Sequence, residues 1–262
     1  MDLKQLEYMI KIAEENNITK AAEKLFITQS ALNQQLLKLE KDLGTQLFVR
    51  SRTNWHPTQA GEIYIEIEIS GGITHRGILI DAGLDIVVIY DGRNNTFLYI
   101  PFGHIQQIKE VEDQDDSYDS KPTDKPIASD SISYRKILNG AKGLFVEVYV
   151  TGNKSIHGYL TSIMNDYFVF HSPAYNTMFI SMNHVKWLIP YPPNTTPYSI
   201  KNPNFTLKPV TATLARSFDE QLKKMQNQLI ILDGGYNEEK IGLLQTVQNN
   251  KMILITAKGE KI

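Results

Sequence analysis

The chain contains no cysteine, which excludes a disulfide framework, a thiolate metal site and a cysteine nucleophile. That composition suits a reducing compartment. Long apolar runs are missing too, and none approaches the about 18 residues of a membrane-spanning helix. The N-terminal stretch MDLKQLEYMIKIAEENN carries charge throughout and has no apolar core of the signal-peptide kind. Nor is there an excess of one charge, with 27 Lys and Arg against 29 Asp and Glu. Nucleotide and metal signatures are wanting. There is no P-loop and no GxGxxG, so the Gly-Gly pairs read as hairpin turns. The histidines (His56, His75, His104, His157, His171 and His184) show no HExxH-like spacing. His104 and His184 fall at equivalent places in related segments, so a shared structural role is expected of them. His75 and His157 are expected in hairpin regions. The acidic run 112–119 lacks the Gly and closing Glu of a calcium loop and reads as a solvated linker. No nucleophile–base pair stands out. The expectation is a non-enzyme with no cofactor and no metal.

What charge there is lies unevenly. Residues 1–61 hold eight Lys/Arg against seven Asp/Glu, a net of +1, whereas 110–130 hold eight acids against two lysines, a net of −6. Within the first segment Leu3, Leu6, Met9, Ile10 and Ala13 recur at helical spacing and predict a helix over about 3–15. Asn16-Asn17 ends it. Thr19 reads as the N-cap of a short second helix whose apolar face is Ala21, Ala22 and Leu25. Small Ala21 and Ala22 suit two helices crossing at close range. Phe26-Ile27 form a turn. Thr28 then reads as the N-cap of a third helix over about 29–42, with Leu32, Leu36, Leu39 and Leu43 inward, and Gly44 ends it. Gln29, Ser30, Asn33 and Gln34 point outward near its start. Their amides match adenine edges and their hydroxyls match bases or phosphates. After it, Leu47-Phe48-Val49 starts a short strand. Arg50 and Arg52 sit in a turn, and Trp55 returns to the core before Pro57, giving a β-wing with two cations at its tip.

The run Leu3, Gln5, Leu6, Ala13, Thr19, Ala21-Ala22, Leu25, Gln29-Ser30-Ala31-Leu32, Gln35, Leu39-Glu40, Leu43-Gly44, Leu47-Phe48, Arg50, Arg52 and Thr58-x-Ala60-Gly61 resembles the winged helix-turn-helix of LysR-type transcriptional regulators. The match is gapless and covers roughly a quarter of the chain. The resemblance implies a DNA-facing set of Thr28, Gln29, Ser30, Asn33, Gln34, Arg50 and Arg52. In that family a long dimerisation helix follows, then a two-lobed effector-binding domain. Here Ile63, Ile65, Ile67 and Ile69 alternate with other residues, the period of a strand. The apolar runs within 73–100 are separated by only a few residues. That is too little for βαβ crossovers, so adjacent antiparallel strands are expected.

Residues 65–90 and 146–171 superpose at a constant offset of 81 residues, with Gly71 on Gly152, Gly77 on Gly158 and Asp85 on Asp166. A third copy begins near Gln228, where Gly242 and Asn250 keep the same eight-residue spacing. Gly71-Gly72, Gly234-Gly235 and Asp91-Gly92 are hairpin signals. Helical stretches at 134–142 and 214–227 precede copies two and three. In the latter, Leu214, Phe218, Leu222 and Met225 share a face. One helix and about five bent strands describe a small antiparallel β-barrel of Sm-like type. Gly158, Leu160 and Asp166 resemble the first Sm motif, while the uridine-pocket Asn and the Arg-Gly of the second are absent. The repeats are also similar to small strand-rich domains of spore-forming bacteria, some of them coat-associated. The third copy is expected to stop in or just after its fourth strand, as in a truncated or mis-joined frame.

The expected architecture is multidomain α plus β: a winged helix-turn-helix (1–61), β-barrel repeat 1 (62–109), an acidic disordered linker (110–131), β-barrel repeat 2 (132–190), a Pro-rich linker (191–211), and a helix with an incomplete repeat 3 (212–262). The linker region 190–210 holds six of the eleven prolines. The expected function is transcriptional regulation, cytoplasmic and nucleoid-bound, with double-stranded DNA as partner. Self-association or another protein engages the β-repeats, with no membrane and no identifiable small-molecule effector. The alternative is a structural or spore-coat-type protein whose β-repeats carry the function, the helix-turn-helix being a recombined fusion.

Overall fold

A computed structural model describes residues 3–50, 55–57, 63–83, 85–111, 126–127, 132–151, 154–192, 198, 213–234, 238–248 and 251–262. The chain divides into two units, one of residues 1–126 and 130–133, the other of residues 127–129 and 134–262. Most of both expected linkers, 110–131 and 191–211, lies outside the described residues.

Unit one opens with three helices, α1 (Leu3–Glu15), α2 (Ile18–Lys24) and α3 (Gln29–Leu43), and a hairpin of β1 (Phe48–Arg50) and β2 (Trp55–Pro57). Met9, Ile10 and Ile12 of α1 meet Ile18, Ala21 and Ala22 of α2 and Leu32, Leu36 and Leu39 of α3 in a buried apolar core. Two expectations are corrected here. Asn17, not Thr19, caps α2: its side chain accepts from the Thr19 and Lys20 N–H groups at 2.9 and 3.1 Å. Asn tolerates the turn that follows a left-handed Asn16. Leu43 does not face inward but is 47% exposed, because the end of α3, stopped at the left-handed Gly44, has already run past the core.

Past the wing the chain turns to strands: β3 (Tyr64–Ile69), β4 (Ile73–Ala82), β5 (Ile86–Asp91), β6 (Thr96–Pro101) and β7 (Ile105–Glu110). Ile65, Ile67 and Ile69 are buried, while Tyr64, Glu66 and Glu68 face the other way. All pairings are antiparallel, in the order β7-β3-β4-β5-β6. A single 3-10 turn, Phe102–His104, joins β6 at one edge to β7 at the other. Three residues reach only about 10 Å. Flat, the outer strands of five would lie about 19 Å apart, so the sheet is strongly curled. Unit two repeats the order. After α4 (Tyr134–Gly140) come β8 (Phe145–Val150), β9 (Lys154–Ile163), β10 (Tyr167–Ser172), β11 (Asn176–Ser181) and β12 (Val185–Pro190), arranged β12-β8-β9-β10-β11. The expected closed barrels are corrected: among the described residues no ladder joins β6 to β7 or β11 to β12. The sheets curl but stay open, because closure requires the outer strands to tilt and stagger into register with each other.

Bulges and glycines produce the curl. The ladder slips by a residue between Leu79 and Asp81 in β4 and between Leu160 and Ser162 in β9. A bulge bends the strand and increases its twist. Ahead of each bulge a glycine lets the next strand press in. A Cβ on Gly77 would lie 2.3 Å from the Tyr90 carbonyl oxygen, and one on Gly158 would lie 2.4 Å from that of His171. His104 and His184 hold the turns before β7 and β12 alike. Ser70 Oγ and Thr151 Oγ1 hydrogen-bond their Nδ1 atoms at 3.2 and 2.7 Å. The Ser70 and Thr151 N–H groups donate to their carbonyls at 2.9 and 2.8 Å. His75 and His157 lie on the second strands of the β3–β4 and β8–β9 hairpins, opposite Ile67 and Glu147. In the β5–β6 turn the left-handed residue is Asn95, not Gly92. Asp91 holds that turn by accepting from the Arg93 N–H and from Asn94 Nδ2.

The last segment has α5 (Phe218–Lys224), then β13 (Leu229–Ile231), β14 (Ile241–Gln248) and β15 (Lys251–Ile255) in the order β13-β14-β15. The helix starts at Phe218, so Leu214 is not on it. The buried helix residue is Gln221, whose side-chain carbonyl accepts from the Ala215 N–H at 2.8 Å and from the Tyr167 hydroxyl at 3.2 Å. Asp166 accepts from the Phe218 N–H at 2.8 Å. These bonds tie the segment to the second sheet.

In unit one, α1 touches β4 through acid against acid. Burial first, and the neighbouring Glu14 carboxylate second, push the Asp81 carboxyl up to about 6 from its ordinary 3.8. A raised acid favours folding while protonated. Its contribution is complete below about pH 4 and is lost as pH rises through 6. Asp81→Asn is therefore expected to stabilise the chain at pH 8 by roughly 1–2 kcal/mol, a figure reduced for partial exposure, and to do almost nothing at pH 4. Thermal melts at both values test this, and an equal gain at both would refute it.

Candidate nucleic-acid interface

The outer half of α3 is built from its cap. Thr28, in extended conformation, accepts from the Ala31 N–H at 3.2 Å and shares a hydrogen bond with Ser30 Oγ at 3.1 Å. This satisfies one orphan donor of the helix start and sets its direction. With Leu32, Leu36 and Leu39 locked into the core, helical spacing sends Gln29, Ser30 and Gln34 to the exposed side and leaves Asn33 half-buried beside them. The turn before the cap is tight. Phe26 adopts φ +56° and is 96% exposed, while the Ile27 N–H donates to the Ala22 carbonyl at 3.0 Å. The exposed end of α3 thus presents amides and hydroxyls with no charge of its own.

The wing hangs on a residue that sequence spacing did not single out for a role. Glu40, on the last turns of α3, is 9% exposed. Its Oε1 accepts from the Leu47 N–H at 2.9 Å and from the Phe48 N–H at 3.4 Å, and its Oε2 takes Arg50 Nη2. The Arg50 guanidinium also lies over the Trp55 ring, 5.5 Å from its centroid. Arg50 belongs to β1, not to the turn. A guanidinium carries five donors, so one pinned by Glu40 keeps others for a phosphate. Arg52 lies outside the described residues. The signal for Glu40 was a buried-face position occupied by an acid, which must find donors. Which donors it finds is set by the wing, not by α3. Among the described residues no cluster of acids and histidines forms a metal-binding group.

Residues 3–62 match the family described as bacterial regulatory helix-turn-helix protein, lysR family, and residues 217–262 match the YwrJ third domain. An uncharacterized protein of Bacillus subtilis (strain 168), YwrJ, is 46% identical over 203 residues, covering 76% of this chain and 89% of that protein. The chain belongs to the YwrJ family. Its N-terminal module is a LysR-type helix-turn-helix. Over that module an uncharacterized HTH-type transcriptional regulator of B. subtilis (strain 168), YkuM, is 46% identical along 66 residues, 25% of this chain and 22% of the regulator. The nitrogen assimilation regulatory protein nac of Klebsiella aerogenes is 43% identical along 63 residues, 24% of this chain and 21% of its own length. The chain therefore spans about a fifth of these regulators. A crystal structure of the CbnR DNA-binding domain with DNA aligns over 23% of this chain and 70% of that one, at 39% identity and TM-score 0.23.

Proposed function

We propose that this YwrJ-family chain is a DNA-binding transcriptional regulator acting through its LysR-type helix-turn-helix, without the effector-binding domain usual for such regulators. The observation that carries this reading is the capped, core-anchored α3 with an uncharged polar face, inside a segment matching the lysR family over residues 3–62. In this reading α3 lies in a major groove. Gln29, Asn33 and Gln34 offer paired donors and acceptors to adenine edges. Thr28 and Ser30 hydroxyls, Arg50 as held by Glu40, and Arg52 take backbone phosphates, which position the module without reading sequence. The antiparallel β-modules after residue 62 stand where the regulators carry their sensor, and serve assembly. We assign domain boundaries of 61, 109, 131, 190 and 211, and treat the three strand-rich segments as one Sm-like repeat opened at its edge. The reading implies a cytoplasmic, nucleoid-bound, non-enzymatic protein.

Selection of bound sequences from a random DNA pool, followed by anisotropy titration, tests this. Gln29→Ala and Asn33→Ala are each expected to cost about 1–3 kcal/mol on the preferred site and to leave the salt dependence unchanged. If no sequence is enriched and wild type stays in the non-specific range, roughly 10⁻⁴ to 10⁻⁶ M, the reading fails.

A second reading has its own support. The match to YwrJ spans 89% of that protein, against 22% of YkuM, and at 203 residues most of it lies beyond residue 61. On this reading the β-modules carry a structural or spore-coat-type role, and the helix-turn-helix is a fused addition. Fractionation of sporulating cells separates the two: protein recovered with the nucleoid excludes the coat role.

A further inference from the structure

The two curled sheets place an acid at the same register and surround it differently. In unit one, Glu66 of β3 stands opposite Arg76 on one side and Lys109 on the other. Both reach it, Arg76 Nη2 at 2.6 Å and Lys109 Nζ at 3.7 Å. In unit two, Glu147 of β8 holds the equivalent place, opposite His157 and Ile189. An imidazole and an alkyl chain stand where unit one has two cations. The imidazole is already engaged. Ser155 Oγ donates its one hydrogen to Glu147 Oε1 at 2.6 Å, so it accepts from His157 Nε2 at 3.3 Å. His157 Nδ1 takes the Tyr191 hydroxyl at 3.0 Å, and a neutral ring fills both roles. Among the described residues no Lys or Arg pairs with Glu147. The carboxylate is half-buried, and a charge withdrawn from water calls for a partner. The neighbours change as well. Places that hold Tyr64, Glu68, Ile78 and Gln107 in unit one hold Phe145, Tyr149, Tyr159 and Trp187 in unit two. Phe145 packs on Tyr159 and Tyr191 at 5.1 and 5.2 Å between centroids. Tyr198, 58% exposed, meets Phe145 edge-on at 6.2 Å. At the other end Tyr149 stacks on Trp187 at 3.8 Å, and the bulged Lys186 sets its Nζ 5.8 Å from the Tyr149 centroid.

We propose that Glu147, flanked by the rings of Phe145, Tyr191 and Tyr198, takes the guanidinium of an arginine presented by a partner protein. Charge, shape and the chain's own precedent select that occupant. The acid has a hydroxyl donor and no cation, so the incoming group is positive. Rings occupy the same-face positions on either side of it along β8. A guanidinium pairs bidentately with a carboxylate and also lies against aromatic rings, whereas an ammonium is a compact point charge. At the same register of the first sheet the group on the acid is a guanidinium, that of Arg76. Lys186 already serves the Tyr149 end, which directs the arginine to the Phe145 end. One partly exposed carboxylate holds a lone cation weakly, so the arginine comes on a larger surface. The inference gives the assembly role of the β-modules a partner chemistry. It stands on the second sheet alone and does not rest on DNA binding.

NMR titration of the full chain without DNA tests it, with the peptide acetyl-Ser-Arg-Ser-amide as probe. Saturable shifts are expected at the His157 ring and the Trp187 indole. The same peptide with citrulline, which keeps the shape and loses the charge, should not bind. The lysine peptide, which cannot pair bidentately, should bind several-fold less tightly. Glu147→Gln should weaken binding of the arginine peptide about tenfold or more. His157→Arg sets a guanidinium at the register of Arg76 and should abolish binding by filling the site from within, read at Trp187. Glu66→Gln, in the sheet whose acid has its own arginine, should leave binding unchanged. Far-UV spectra establish that each variant is folded, and the peptide series on wild type needs no variant. No saturable shift in wild type, or an equal response to the citrulline or lysine peptide, would overturn the proposal. So would a folded Glu147→Gln or His157→Arg chain with wild-type affinity. Free L-arginine bound as tightly as the peptide would make the ligand a small molecule and exclude the partner protein. The DNA titrations are separate, so failure here leaves the DNA reading untouched.

Discussion

Alanine at Gly158 is expected to destabilise unit two by about 3 kcal/mol or more, toward the upper end of overpacking penalties. The added Cβ would lie 2.4 Å from the His171 carbonyl oxygen and 2.8 Å from Phe170 Cε1. Neither neighbour can yield. The carbonyl is ladder backbone, and Phe170 is fully buried. The strands must separate or the bulge must unwind. Gly77→Ala should cost unit one a similar amount, since its Cβ would meet the Tyr90 carbonyl oxygen at 2.3 Å. Gly103→Ala is the control. Nothing lies within 4 Å of a Cβ there, and its effect should stay within about 0.5 kcal/mol. Urea midpoints of the three variants decide the matter, and similar midpoints for Gly158→Ala and Gly103→Ala would remove close approach as the role of these glycines.

Glu40→Ala is expected to cost about 3 kcal/mol and to loosen the wing. The substitution strands the Leu47 and Phe48 N–H groups in a buried setting and leaves Arg50 without its carboxylate. Breaking one side of a buried pair costs about 3–5 kcal/mol, and the low end applies because Arg50 is partly exposed. Glu40→Gln keeps an oxygen for the Leu47 N–H and should lose about half as much. On the proposed reading, in which the wing takes backbone phosphates, both variants should weaken DNA binding across all sequences equally. Gln29→Ala should instead weaken it selectively. Urea unfolding and parallel titrations on preferred and scrambled DNA distinguish the two patterns. A Glu40→Ala variant with a wild-type midpoint would show that the wing does not depend on this carboxylate.

Local rules read the N-terminal module well because its determinants are local. The Thr28 cap, the Leu32, Leu36 and Leu39 stripe and the Gly44 stop are set within a few residues of each other. The misreadings at Thr19 and Leu43 have separate causes. Thr19 and Asn17 are both good caps, and only the left-handed Asn16 before the helix selects Asn17. Leu43 keeps the spacing of the stripe but falls where the helix has already outrun its core. Strand positions after residue 62 were also legible from period-2 alternation. The two open sheets were not, because alternation names the buried face and says nothing of whether outer strands meet. Gln221 and Asp166 show the same limit. Their partners lie more than 50 residues away from one of them in the chain and close by in space for both.

By itself the sequence determined the helix-turn-helix, the switch from helical to strand period near residue 62, and the recurrence of a glycine eight residues before an Asp or Asn. Each is a short-range pattern with a short-range cause. The tertiary structure alone decided that the glycines accept a neighbouring carbonyl, that Glu40 holds the wing, and that the strand sets curl without closing. It also decided that Glu147 faces His157 and Ile189 where Glu66 faces Arg76 and Lys109. The reason is common to all four. Each depends on which backbone or side chain arrives across a gap of many residues, and that arrival is set by packing, bulge and turn acting together.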